Sequence, residues 1–127
     1  MLKEIKIKGY KSIKDITLDL KPINILIGAN GVGKSNFITF FSLVNNIYEQ
    51  NLQNYTMACG ADSLLYYGLK HTNFIEGSLD FGNNTYSFKL APARDGSLYI
   101  SEESNIFINS RWIYPTKNIR ESKIKDS

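Results

Sequence analysis

The residues best suited to chemistry run from Gly28 to Asn36: Gly28-Ala29-Asn30-Gly31-Val32-Gly33-Lys34-Ser35-Asn36. Glycines at 28 and 33, followed at once by Lys34 and Ser35, satisfy the Gly-x-x-x-x-Gly-Lys-Ser phosphate-loop pattern. Each residue type has a physical reason to be there. Gly28, Gly31 and Gly33 let the backbone take positive φ angles and come close to a ligand. The loop N–H groups then converge on an anion at the positive end of the helix that follows. Lys34 supplies a point charge for the β and γ phosphates, and the Ser35 hydroxyl is a ligand for Mg²⁺. The chemistry implied is binding of a nucleoside triphosphate with Mg²⁺, ATP in first place. The competing reading is a glycine-rich turn that merely joins strand to helix, and context decides between the two.

That context is a buried strand before the loop and a helix after it. Ile23 to Ile27 is a short, nearly continuous apolar run, as in a strand covered on both faces. From Lys34 to about Gln50, Phe37, Phe40, Phe41, Val44, Ile47 and Tyr48 recur at helical spacing. Upstream, Ile5 and Ile7 alternate with lysines, and Ile16, Leu18 and Leu20 alternate with Thr17 and Asp19. Gly9 to Asp15 supplies the bend, so the first twenty residues read as an antiparallel hairpin closed by Pro22.

Residues 51 to 73 are less regular. Asn51, Asn54, Gly60 and Asp62 favour loop, while Ser63 to Leu69 suits either a short helix or a turn. Phe74 to Phe81, Thr85 to Leu90 and Ser97 to Ser101 then read as antiparallel strands, joined by Gly82-Asn83-Asn84 and by Pro92 to Gly96. Ile106 to Tyr114 is a candidate fourth strand. The expected fold is α+β: a mixed sheet with an N-terminal hairpin, a phosphate-loop strand and helix, and a later meander. The nucleotide-binding lobe spans residues 1–114, and 115–127 is expected to be a disordered or truncated polar tail.

Composition narrows the class. A chain of 127 residues suits one compact domain, and 43% hydrophobic with 21% charged residues is ordinary for a globular protein. A net charge of +3 is too mild to argue for nucleic acid without a visible basic patch. No run reaches the ~20 apolar residues of a membrane helix. Cys59 is the only cysteine, so no internal disulfide exists, and a reducing cytoplasm is the expected compartment.

The string Ile5-x-Ile7-x-Gly9-Tyr10-Lys11-Ser12-Ile13, followed by Ile23 to Asn36, resembles the N-terminus of the RecF/SMC/OLD-like branch of ABC-type ATPases. Within that branch it looks most like the bacterial AAA family ATPases, and Gly60-Ala61-Asp62-Ser63-Leu64-Leu65-Tyr66-Tyr67-Gly68 is similar to a segment they carry after the first helix. The resemblance covers about residues 1 to 104 and implies the first lobe of an ATPase head. It implies that Asn36 belongs to the nucleotide site. It also implies that Lys11 and Ser12 lie near the nucleotide, although an ordinary solvated turn accounts for them equally well. A second lobe or protomer is the implied partner, and DNA enters by resemblance alone.

The chain also departs from that family. Hydrolysis there uses an Asp-Glu pair after a buried strand and a signature loop from a partner head. Asp80 sits in an alternating strand with no Glu after it, and Glu102-Glu103 lacks a preceding four-residue apolar run. No Leu-Ser-x-Gly loop is present, and His71 is the sole histidine, in an unassigned loop. Gln50 and Gln53 follow the helix too closely for the family's Mg-contacting glutamine, and Trp112 with Tyr114 suits packing better than base stacking. The expectation is therefore an ATP-binding lobe, cut from or part of a larger ATPase, that is incomplete for hydrolysis alone. The alternatives are a non-hydrolysing sensor, a remnant without ligand, or a kinase or GTPase, the last opposed by the absence of an Asn-Lys-x-Asp motif.

Overall fold

The computed structural model describes residues 2–19, 31–107, 110–113 and 121–122. Strands β1 (Glu4–Tyr10) and β2 (Ile13–Asp19) form the expected hairpin, with Glu4 opposite Asp19 and Tyr10 opposite Ile13. Period two does its work in β1, where Ile5 and Ile7 are fully buried while Lys6 and Lys8 face solvent. Gly9 cannot be replaced cheaply: its φ is +76°, and a Cβ there would meet the Phe74 carbonyl oxygen at 2.3 Å.

Helix α1 (Gly31–Tyr48) begins three residues before Lys34, where the apolar period becomes legible, because glycine at 31 and 33 carries no side chain to display a period. Its buried face is Phe37, Phe40, Leu43 and Ile47, whereas Phe41 and Tyr48 are exposed. The stripe is thus one residue out of phase with part of the sequence reading. The chain then forms α2 (Leu52–Cys59) and the single turn α3 (Ala61–Leu64). Asn51, Asn54 and Gly60 had favoured loop over α2. What stabilises it lies far off in sequence: the Glu121 carboxylate accepts from the Leu52 and Gln53 N–H groups at 2.7 and 3.1 Å, satisfying the helix's first donors. Buried Thr56 ties α2 onward, its hydroxyl donating to Leu52 O and accepting from the Leu98 N–H at 2.9 Å.

Four strands complete the sheet: β3 (Ile75–Asp80), β4 (Asn84–Pro92), β5 (Leu98–Phe107) and β6 (Ser110–Ile113). The order is β2-β1-β3-β4-β5-β6, and every ladder among the described residues is antiparallel. The strand expected over 23–27, which would have made the sheet mixed, lies outside the described residues. Strand β5 runs six residues past Ser101 and takes in Ile106, so the fourth meander strand is shorter than expected and starts at Ser110. A β-bulge between Lys89 and Leu90 lets the long β4 and β5 stay paired while twisting.

One face of this sheet packs on α1. Phe40 stacks on Phe88 at 6.1 Å between ring centroids and meets the edge of Tyr10 at 5.3 Å. Gly77 makes room for these rings, since a Cβ there would lie 2.3 Å from Phe88 Cζ and 2.9 Å from Phe40 Cζ. Two residues of the polar tail, Glu121 and Ser122, dock against this core, and Gln50 Nε2 donates to Ser122 O at 3.1 Å. Among the described residues no helix is long and apolar enough to cross a membrane.

Candidate functional site

Of the nine candidate loop residues, Gly28, Ala29 and Asn30 lie outside the described residues. Gly31, Val32, Gly33, Lys34 and Ser35 are the first five residues of α1. Gly31 and Gly33 are therefore helical, and a helical residue has negative φ, so the positive φ expected of these two is corrected. The first four N–H groups of an α-helix have no partner within it, and they carry its positive dipole end. An anion placed at Gly31 to Lys34 would meet both.

The next residue, Asn36, is buried and fixes a neighbour to this end of the helix. Its Nδ2 donates to Ser12 Oγ at 2.5 Å. One turn further, the Thr39 hydroxyl donates to Asn36 O at 3.1 Å. Thr39 Oγ1 also makes a 2.9 Å hydrogen bond with the Tyr10 hydroxyl and accepts from Lys11 Nζ at 3.4 Å. The turn from β1 to β2 is thereby clamped against the start of α1, with Lys11 held at φ +48°. From the other side the Lys11 N–H donates to Leu64 O at 2.8 Å, and the Tyr66 N–H donates to Gly9 O at 2.9 Å. Burial drives the Tyr10 phenol up to about 12, an effect that the Thr39 hydrogen bond partly offsets.

These contacts surround an open cleft of about 620 Å³. Lys11, Ser12 and Asn36 line one part of it, and Asp62, Ser63, Tyr67 and Gly68 another. The fold thus brings together Lys11 and Ser12 with Asn36, from segments 24 positions apart. The sequence reading missed Asp62, Ser63 and Tyr67 as lining groups. Their one signal was the Gly60 to Gly68 segment itself, in which a polar pair and an aromatic pair precede a turn glycine.

Other candidates fall elsewhere. Asp80 Oδ1 accepts from the Gly82 N–H at 2.8 Å, closing the turn into β4. Glu102 is exposed and lies 3.5 Å from Lys89. Glu103 is buried within β5, where the Tyr86 and Ser122 hydroxyls both donate to its Oε2. His71 is an exposed residue at the edge of Tyr67. Gln53 Nε2 reaches Asp95 at 3.4 Å. Cys59 is exposed and unpaired with any other cysteine. Trp112 lies in β6 opposite Asn105, and Tyr114 lies outside the described residues. Among the described residues no group of His, Cys, Asp and Glu could hold a metal by itself.

An anionic ligand suits the donors of this site: a helix start, the Lys11 cation and the polar side chains of Ser12 and Asn36. The model of a family described as the AAA ATPase domain matches residues 1–126. A curated relative, the OLD nuclease of Thermus scotoductus (strain ATCC 700910 / SA-01), is 36% identical over 44 residues. That segment covers 35% of this chain and only 8% of the relative's length. No solved structure matches the chain.

Proposed function

We propose, from the premise that the chain belongs to the AAA ATPase domain family, that it binds Mg-ATP through Gly28 to Ser35 as the first lobe of an ATPase head. One observation supports this most. Lys11, Ser12 and Asn36 converge on a cleft beside the first turns of α1, where the phosphate-loop sequence enters the helix. The clamp that holds this turn to α1 also leaves a cation and two polar side chains on the wall of the cleft, where an anion would meet them. Lys34 and the helix N–H groups would hold the β and γ phosphates, and Ser35 would ligate Mg²⁺. The metal's charge neutralises the phosphates when bound.

Hydrolysis needs more than this site offers. Asp80 is engaged with the Gly82 amide, and Glu103 accepts from Tyr86 and Ser122 inside the sheet. Neither supplies the second carboxylate that positions an attacking water. A second lobe or protomer would complete the reaction, with the cytoplasm as the setting.

Calorimetric titration of Mg-ATP into the purified chain, beside Lys34→Ala, tests the reading. A charge-assisted contact of ~1.5–3 kcal/mol predicts at least about tenfold weaker binding by the variant. A folded wild-type chain that takes up no Mg-ATP would overturn it.

A further inference from the structure

The cleft's two sides differ in chemistry. Lys11, Ser12 and Asn36 offer a cation and polar side chains beside the start of α1. Asp62 and Tyr67, on α3 and the turn after it, offer a carboxylate and an exposed ring. A carboxylate accepts hydrogen bonds and repels phosphate, so a nucleotide has one favourable orientation: phosphates toward α1, base toward Tyr67.

Tyr67 is 74% exposed, the most exposed large apolar side chain among the described residues. It is also held at φ +55°, a conformation that costs free energy for a residue with a Cβ. Nothing in the packing of the core calls for this, because the ring points into solvent. The turn that imposes it is nonetheless tightly held. The Gly68 N–H donates to Leu65 O at 2.9 Å, the Thr72 N–H to Gly68 O at 3.1 Å, and the Leu69 N–H to Asp62 Oδ1 at 2.8 Å. The Thr72 hydroxyl donates to Tyr66 O as well. Gly68, at φ +83°, is required beside Asp62, since a Cβ would stand 2.7 Å from Asp62 Oδ1. Tyr66 braces the Tyr67 ring at 4.4 Å between centroids, and His71 flanks it at 6.4 Å. The backbone under the ring is therefore held by the turn while the ring itself is mostly uncovered, which suits a stacking platform.

We propose that Tyr67 is the surface on which the base of the bound nucleotide stacks, and that Asp62 keeps the triphosphate on the Lys11 side of the cleft. The inference deepens the phosphate-loop reading and rests on it. A cleft of about 620 Å³ lies within the ~300–1,000 Å³ usual for ligand pockets, enough for a nucleoside beside the phosphate site. Stacking has little base preference of its own, and the wider overlap of a purine favours ATP over a pyrimidine nucleotide.

Titration of the purified chain with two probes, Mg-ATP and Mg-tripolyphosphate, separates base from phosphate. The wild type is expected to bind Mg-ATP about tenfold tighter than Mg-tripolyphosphate, a factor within the range of one base–aromatic stack. Tyr67→Ala and Tyr67→Leu should abolish that preference by weakening Mg-ATP alone, and Tyr67→Phe should keep it. Retained tripolyphosphate binding reports that each variant is folded. Equal wild-type affinity for the two probes, or Tyr67 variants that bind Mg-ATP as wild type does, overturns the stacking platform and leaves the phosphate loop standing. A wild type that binds neither probe overturns the phosphate loop, and the platform with it.

Discussion

The chain carries two polar clusters on the side of the sheet that faces its helices, and they are built in opposite ways. At Glu103 the polar groups are sealed: the carboxylate is 3% exposed, and the Tyr86 and Ser122 hydroxyls donate to it. Beside α1 the cluster is open: Lys11, Ser12 and Asn36 line a cleft with Asp62 and Tyr67, and Ser12 and Tyr67 are exposed there although Asn36 itself is buried. Burial with complete pairing makes a carboxylate a fastener, because any exchange of partners would cost a desolvated charge. Exposure with partial pairing leaves groups that a ligand can engage. Residue type alone does not separate the two roles: the sequence pattern disfavours catalysis by Glu103 but does not seal it, and it leaves Lys11 evenly poised between nucleotide and solvent.

The largest effect should come from the sealed cluster. Glu103→Ala removes the acceptor of two buried hydroxyls, at ~1–3 kcal/mol for each polar group left short of a partner. Urea unfolding should show a loss of about 3 kcal/mol, and the Mg-ATP affinity of the folded fraction should stay unchanged. A nucleotide-dependent loss with unaltered stability would move Glu103 into the open site and erase the contrast.

The open cluster should respond the other way. Asn36→Ala removes the 2.5 Å bond to Ser12 and loosens the turn against α1, leaving the Thr39 contacts of Tyr10 and Lys11. We expect a stability loss of about 1 kcal/mol, typical of one hydrogen bond, together with severalfold weaker Mg-ATP binding in calorimetry. Unchanged affinity would mean that the clamp shapes the fold and not the site.

A last effect, confined to alkaline pH, comes from Tyr10, which is fully buried yet bonded to Thr39 in the clamp. Its folded phenol titrates at about 12, above the ordinary 10.0, mainly because burial disfavours the phenolate. A raised value means that the neutral form is favoured in the folded state. The associated stability is fully present below pH 10.0 and is lost as pH rises toward about 12. Thermal melts across that window should fall more steeply for wild type than for Tyr10→Phe. Parallel slopes would show that the phenol is not as shielded as its position implies.

Much of this protein was readable from local pattern. Alternation in Ile5 to Lys8, the turn residues Gly82 and Asn83, and the apolar period of α1 are properties of neighbouring residues, and each became the expected element. The spacing of Gly28 to Ser35 fits the phosphate-loop pattern, and its use for phosphate is the reading proposed above. Helix α2 was not readable, because its first N–H groups are capped by Glu121, 69 positions away. Nor was the pairing of Asn36 with Ser12, or the exposure of Tyr67 on the turn that closes around Asp62.

The sequence by itself therefore determined the N-terminal hairpin, α1 and the meander strands, since these follow from sterics and hydrogen bonding within a few residues. Only the tertiary structure decided which polar side chains are sealed and which are offered. That choice depends on whether a partner distant in the chain arrives to satisfy them, and no local pattern records such an arrival.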